Sequence, residues 1–332
     1  MLAFAVVLTL VDGTIAGLLA VGSATLSLWF FNTPPARSFA LEHNVDAVAL
    51  LAAGLVQVGI VLLLSVMAEQ QNEISRRAGA AEAAFDAQRR AILVMQFALL
   101  PETMPAVMGV TIGWHYQPGG DTSNPIGGDW LALVPIANDR VGIAVGDVAG
   151  HGLEAVRDMA QYRFALRTLA AQGAAPTIVM AAVDDLARKF NIPYFSTCAY
   201  GIIDTTKETW LYSVAGHPPP FLLRAAQPQL LDGPHGPPLA APGTAGNYRE
   251  HVVPLKDGDL LALYSDGLIE RRGESLSKGM ERLGERLGAV GSHDDLSAAS
   301  RAVVADLVGD ASSDDVVIIL ARYKTAATTS AC

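Results

Sequence analysis

Apolar positions along the chain follow three successive patterns. Met1 to Phe31 is apolar apart from one charge, Asp12, and the 22 residues from Ala47 to Ala68 carry none. As a helix such a run is about 33 Å long, enough to cross a hydrocarbon core of about 30 Å. Both stretches therefore predict transmembrane helices. A secretory signal in the first would need a basic start, which is absent; a buried globular hairpin is the other structure the pair could form. The connection carries one basic residue, Arg37, whereas Arg76, Arg77, Arg89 and Arg90 follow the second stretch. The positive-inside rule then puts both termini in the cytoplasm, giving a multi-pass protein of the cell membrane.

The second pattern runs from Met67 to Leu99, rich in Ala, Gln, Glu and Arg, without proline and with one glycine. Ile74, Ala78, Ala81, Phe85, Gln88, Ile92, Met95 and Leu99 fall at alternating fours and threes, a heptad seam with two weak members. The seam suits a parallel stalk that makes a homodimer, or a single amphipathic helix lying on the domain that follows. Pro101 and Pro105 end it.

After Gly109 the third pattern begins, short apolar runs broken by turn residues. VTIGWHY, WLALVPI, VGIAVGD, CAYGIID, WLYSVAG, FLLRAA, HVVPL, LLALYSD and VVIILARY suit strands, with TTKET, AAQPQ and KDGD as turns. LEAVRDMAQYRFALRTLA and PTIVMAAVDDLARKF predict a central helix pair, ERLGERLGAV and DDLSAASRAVVADLV a later one. Residues 232–247, rich in proline and glycine, predict a surface loop. The expected organisation is a membrane anchor over 1–68, a helical linker over 69–100, an α+β domain over 101–324 with sheets inside and helices outside, and a disordered tail over 325–332.

Composition narrows the function. The mean hydropathy of +0.32 comes from the two apolar stretches. A net charge of −10 argues against nucleic acid as a partner, because sequence-independent binding needs a basic footprint. Cys198 and Cys332 are far apart and form no CxxC, so neither a disulfide framework nor a zinc ribbon is expected.

The acidic residues carry the chemistry. Asp129 precedes the strand Trp130 to Ile136, Asp147 follows the strand Val141 to Val145, and both are equidistant from Asn138 in the turn between them. An antiparallel hairpin delivers the two carboxylates to one open end. Asp266 closes LLALYS and the pair Asp314 and Asp315 opens VVIIL, so these meet as well if the two strands are neighbours. Carboxylates that close resist ionising together. A pair of divalent cations relieves the conflict, and oxygen ligands without His or Cys favour Mg²⁺ or Mn²⁺ over Zn²⁺. Two such ions can hold a bridging hydroxide and polarise a phosphoryl oxygen.

GGDW, GDVAGHG, AGHPPP, LYSDGLIE and SSDDVVIIL occur in one order. Together, over about Gln96 to Tyr323, they resemble the bacterial branch of the metal-dependent PPM serine/threonine phosphatases, which contains the sporulation phosphatase and the stress-response sigma-factor regulators. The resemblance implies an antiparallel β-sandwich flanked by helices, in an α-β-β-α order. It implies two Mn²⁺ or Mg²⁺ ions, with Asp147 bridging both, the Val148 carbonyl on one, Asp129 on the same ion directly or through water, and Asp266 with Asp314 on the other. Asp314 matches the family ligand better than Asp315. The helices Leu153–Ala171 and Pro176–Phe190 are similar to the family's regulatory pair, with Ala155-Val156 where two alanines are usual. His151 and His217 receive no general-acid role. No arginine in HYQPGGDTSNP stands ready to grip phosphate, unlike the eukaryotic relatives.

The implied activity is hydrolysis of phosphoserine on a cytoplasmic regulatory protein, an anti-anti-sigma factor by the same resemblance. A degenerate phosphatase-like receptor or scaffold, or a hydrolase of small phosphoesters, would carry the same fold.

Overall fold

The computed structural model describes residues 14–32, 44–100, 104–119, 127–244, 246–271, 273–290, 295–308 and 314–325. Two compact units divide the chain, 1–87 and 88–332. Asp12, Arg37 and, apart from Thr325, the tail at 325–332 lie outside the described residues.

In the first unit α1 (Thr14–Asn32) packs against the early part of α2 (Asn44–Leu99). Ala20 and Val21 meet Val61, and the Thr25 hydroxyl lies 3.4 Å from the Gln57 side-chain oxygen. Contacts that advance along α1 retreat along α2, so the two helices are antiparallel. Leu51, Leu55, Val56, Leu62, Leu63 and Val66 are exposed on α2, as lipid-facing residues are. Of the two spans expected from the sequence, only α2 is long and apolar enough to cross a membrane among the described residues. The apolar part of α1, Ile15–Phe31, is a shorter apolar helix among the described residues, and residues 1–13 of that expected span lie outside them. Ile74, Ala78, Ala81 and Phe85 of the heptad seam are all exposed on α2.

Among the described residues the second unit has ten strands: β1 (Val110–Gln117), β2 (Trp130–Ala137), β3 (Arg140–Val148), β4 (Ser196–Asp204), β5 (Thr209–Ala215), β6 (Phe221–Arg224), β7 (Gln227–Leu230), β8 (His251–Pro254), β9 (Leu260–Tyr264) and β10 (Val316–Tyr323). They form two antiparallel sheets, ordered β1-β10-β9-β6-β7 and β2-β3-β4-β5-β8. Helices α3 (Gly152–Ala170) and α4 (Pro176–Lys189) cover the second sheet, and α5 (Leu276–Gly288) and α6 (Leu296–Leu307) the first.

Alternation along each strand builds these layers. On β2, Trp130, Ala132 and Val134 face α3 and α4, while Leu131 and Leu133 face the other sheet. On β10, Val317, Ile319 and Ala321 point between the sheets, and Val316, Ile318 and Leu320 pack under α5 and α6. Because both faces are buried, these strands appear in the sequence as continuous apolar runs. The expected hairpin turn AAQPQ is shorter than anticipated. Ala225 and Ala226 alone form it, at φ of 49° and 61°, and Gln227 to Leu230 continue as the edge strand β7. Such a two-residue turn matches the twist of its flanking strands, and Pro228 is tolerated because β7 lies at the sheet edge.

Ile319 is fully buried between the sheets. Ile319→Ala should destabilise the second unit by about 2–5 kcal/mol, read as a lower urea midpoint at unchanged slope.

Candidate functional site

The hairpin β2–β3 has the register that the sequence predicts. Trp130 pairs with Gly146 and Leu131 with Val145, so Asp129 and Asp147 face one another at the open end. Strands β9 and β10 are neighbours, and Asp266 follows the end of β9 in a single 3₁₀ turn, Asp266–Leu268. Asp129, Asp147 and Asp266 each place a carboxylate oxygen within 4.8 Å of the others. Asp129 is buried, Asp147 and Asp266 are half-buried, and Asp314 is exposed. Asp314 does not join that close group, yet its charge acts on both Asp147 and Asp266.

Two glycines permit the approach of the chain segments. A Cβ at Gly128 would lie 2.2 Å from the Val148 carbonyl oxygen, and one at Gly267 would lie 2.1 Å from the Asp315 carbonyl oxygen. Backbone, which cannot swing aside, sets both limits. Gly146, before Asp147, makes room for the Trp130 ring, 2.4 Å from where a Cβ would lie.

Around the carboxylates lies a shell that sequence reasoning did not assign. Ser265, fully buried, accepts a bond from the Val317 N–H at 2.9 Å and hydrogen-bonds to Asp129. Ser196 donates to the Asp147 carbonyl at 2.9 Å. A polar residue ending an otherwise apolar strand, as Ser265 does in LLALYSD, is the signal that could have marked it. Asp315 is engaged elsewhere: it accepts from the Tyr116 phenol at 2.7 Å and the Gly119 N–H at 2.8 Å. His151 stands at the N-cap of α3 in an extended conformation with no side-chain capping bond.

His217 is buried with both ring nitrogens hydrogen-bonded, and burial pushes its pKa down to about 4. It is a neutral structural residue with no nitrogen available to a cation. Arg163 of α3 lines a small recess of about 10 Å³ beside Asp129, but its Nε donates to the Leu131 carbonyl at 2.8 Å. Burial lowers its pKa to about 10. A recess of that size holds at most a water, so this guanidinium is no phosphate clamp.

Burial raises all three close carboxyls, and nearby negative charge adds to it: Asp147 and Asp266 act on Asp129, Asp266 and Asp314 on Asp147, and Asp314 and Glu270 on Asp266. Asp147 is pushed up to about 8, Asp129 lies well above its usual value, and Asp266 is raised too. Meanwhile Asp129 Oδ2 is buried with no hydrogen-bond partner among the described residues. An orphaned buried carboxylate oxygen in an all-oxygen group fits a hard divalent cation. Asp129, Asp147 and Asp266 could hold one.

The sign of the pH dependence follows. A carboxyl raised in the folded chain stabilises it most at low pH, and that contribution is lost as pH rises through the folded value. From pH 7 to about 8.5, above the range in which His217 titrates, the metal-stripped protein should lose a few degrees of Tm, at about 2–4 °C per kcal/mol. Excess Mn²⁺ should abolish the loss and bind more tightly as pH rises. Differential scanning calorimetry with and without Mn²⁺ checks both.

The family model described as stage II sporulation protein E (SpoIIE) matches residues 137–324, more than half of the chain. The phosphoserine phosphatase RsbU of Bacillus subtilis is 26% identical over 188 residues, covering 54% of this chain and 53% of that protein. The chain thus matches about half the length of this relative. Among solved structures, the RsbU and RsbW domains of Rv1364c from Mycobacterium tuberculosis align with a TM-score of 0.62 at 28% identity, over 69% of this chain and 64% of that one. The SiaA-PP2C domain of Pseudomonas aeruginosa aligns at 0.58 and 22% identity, over 74% and 99%, a likeness of fold. With the sandwich, its helical layers and the carboxylate edge in place, the chain belongs to the SpoIIE family of PPM/PP2C-type serine/threonine phosphatases.

Proposed function

We propose that this chain is a membrane-anchored, metal-dependent phosphatase that hydrolyses phosphoserine on a cytoplasmic regulatory protein. The observation that carries the reading is the group Asp129, Asp147 and Asp266 with its orphaned, buried Asp129 Oδ2. In this reading Asp147 bridges two Mn²⁺ or Mg²⁺ ions, Asp129 and the Val148 carbonyl serve one, and Asp266 with Asp314 serves the other. Two such ions would supply the positive charge that stabilises the phosphoryl oxygens and would make a water acidic enough to attack.

The chain's own residues orient and insulate this site. Ser265 holds the Asp129 carboxyl, Ser196 holds the backbone of Asp147, and Trp130 closes the floor beneath the hairpin. Exposed Asp314 marks the side open to solvent, where a phosphoserine on a protein surface can reach. The bonds that Asp315 makes to Tyr116 and Gly119 favour Asp314 as the ligand. The class of substrate, an anti-anti-sigma factor, follows from the sequence resemblance and from similarity to a phosphoserine phosphatase.

Anchoring rests on the apolar first part of α2, whose residues are exposed; Arg76 and Arg77, later in the same helix, would lie on the cytoplasmic side. The exposed seam at Ile74, Ala78, Ala81 and Phe85 suits a homodimer. The chain should remain in the membrane pellet after alkaline carbonate washing and enter solution only with detergent. Release by carbonate alone would overturn the anchor.

Purified protein should release phosphate from a phosphoserine protein only with Mn²⁺ or Mg²⁺, and much faster than from small phosphoesters. Asp147→Ala should lower the rate by more than about 100-fold, beyond the 10–100-fold typical of changes outside the ligand shell. Undiminished hydrolysis by that variant would sink the assignment.

A further inference from the structure

His217, 3% exposed in the turn after β5, connects the two sheets. Its Nδ1 lies 2.8 Å from the Thr197 hydroxyl on β4, in one sheet. Its Nε2 lies 3.0 Å from the backbone oxygen of Tyr264, the last residue of β9 in the other. A carbonyl oxygen only accepts, so Nε2 carries the hydrogen and Nδ1 accepts the Thr197 O–H. The Tyr264 phenol returns to the same turn and donates to the Pro219 carbonyl at 2.9 Å. Turn and strand end thus clasp one another in both directions.

Both ends of the imidazole lie beside carboxylates of the site. Thr197 is the direct cross-strand partner of Asp147, and Tyr264 is two residues before Asp266. We infer that His217 is a positioning residue, which sets the distance between Asp147 on one sheet and Asp266 on the other and so prepares the cation site. The inference rests on the cation-dependent reading given above.

The physical need for such a strap is clear from the layers. Between the sheets the contact is apolar, through residues such as Leu131, Ile143, Leu263 and Ile319. Apolar packing has no direction and permits small sliding at little cost. A cation site needs its donors within about 0.5 Å of their places. Hydrogen bonds at both nitrogens of a rigid ring supply the direction that packing lacks. Removing them leaves the layers stacked but frees one carboxylate to drift relative to the other.

Calorimetric titration of Mn²⁺ into the full, detergent-solubilised chain tests this. Thr197→Val keeps the shape and removes the hydroxyl; it should weaken Mn²⁺ binding about 10–100-fold, as loss of an outer partner of a metal site does, with only a small fall in the Tm of the metal-stripped protein. His217→Phe should weaken it at least as much, and His217→Gln, which retains a donor and an acceptor, should recover part of the loss. Thr206→Val, whose hydroxyl bonds Asp139 in a remote turn, should leave affinity unchanged. Wild-type affinity in Thr197→Val, with the wild type itself binding Mn²⁺, overturns the positioning role alone. Failure of the wild type to bind Mn²⁺ overturns the cation reading and this inference with it.

Discussion

Three carboxylates held within 4.8 Å of one another, partly out of water, cannot all be ionised unless positive charge lies among them. Much of the second unit bears on this one electrostatic conflict. The sandwich presents strand ends from both sheets along a single edge, and the layers of helices exclude water from behind that edge. Burial and the neighbouring carboxylates raise the carboxyl pKa values, and Asp129 retains a buried oxygen without a hydrogen-bond partner among the described residues. A fold that merely needed stability would fill the edge with apolar side chains, since buried charge is a poor source of it.

How the edge is held matters as much as which residues line it. Asp129 and Asp147 belong to one hairpin, so their spacing is covalent and ladder-bound. Asp266 comes from the opposite sheet, and its place depends on the stacking of two sheets across an apolar interface. The polar contacts concentrate at that junction. Ser265 reaches Asp129, and His217 spans from Thr197 to Tyr264. On the far side α3 adds a buried guanidinium, Arg163, bonded to the backbone two residues from Asp129, so the covering helix is tied to the hairpin that carries two of the acids.

The outline of this arrangement was legible in the sequence because it follows from periodicities. The symmetric placement of Asp129 and Asp147 about Asn138 predicted the hairpin register, since antiparallel pairing preserves the sum of paired positions. Nine strands and two helix pairs followed from apolar runs and turn residues. The strand β7 did not, because Gln227 and Gln229 face solvent and Pro228 suggests a turn; only pairing with β6 makes it a strand. Of the first apolar stretch, the described residues hold the helix Ile15–Phe31, and residues 1–13 lie outside them.

By itself the sequence determined the layers, the one-edge placement of the acids, the hard-oxygen character of the group and the family motifs. These depend on local spacing and residue chemistry, which are written along the chain. Tertiary structure alone decided which polar side chains serve the acids: that Asp315 is occupied by Tyr116 and Gly119, that Ser265 turns to Asp129, and that His217 bridges two sheets as a neutral ring. Thr197 and Tyr264 are separated by 67 positions in sequence and come within reach of one imidazole only when the sheets stack. Hydrogen bonds over such separations have no periodicity to betray them, because they are selected by the packing of whole layers rather than by the pattern of any one segment.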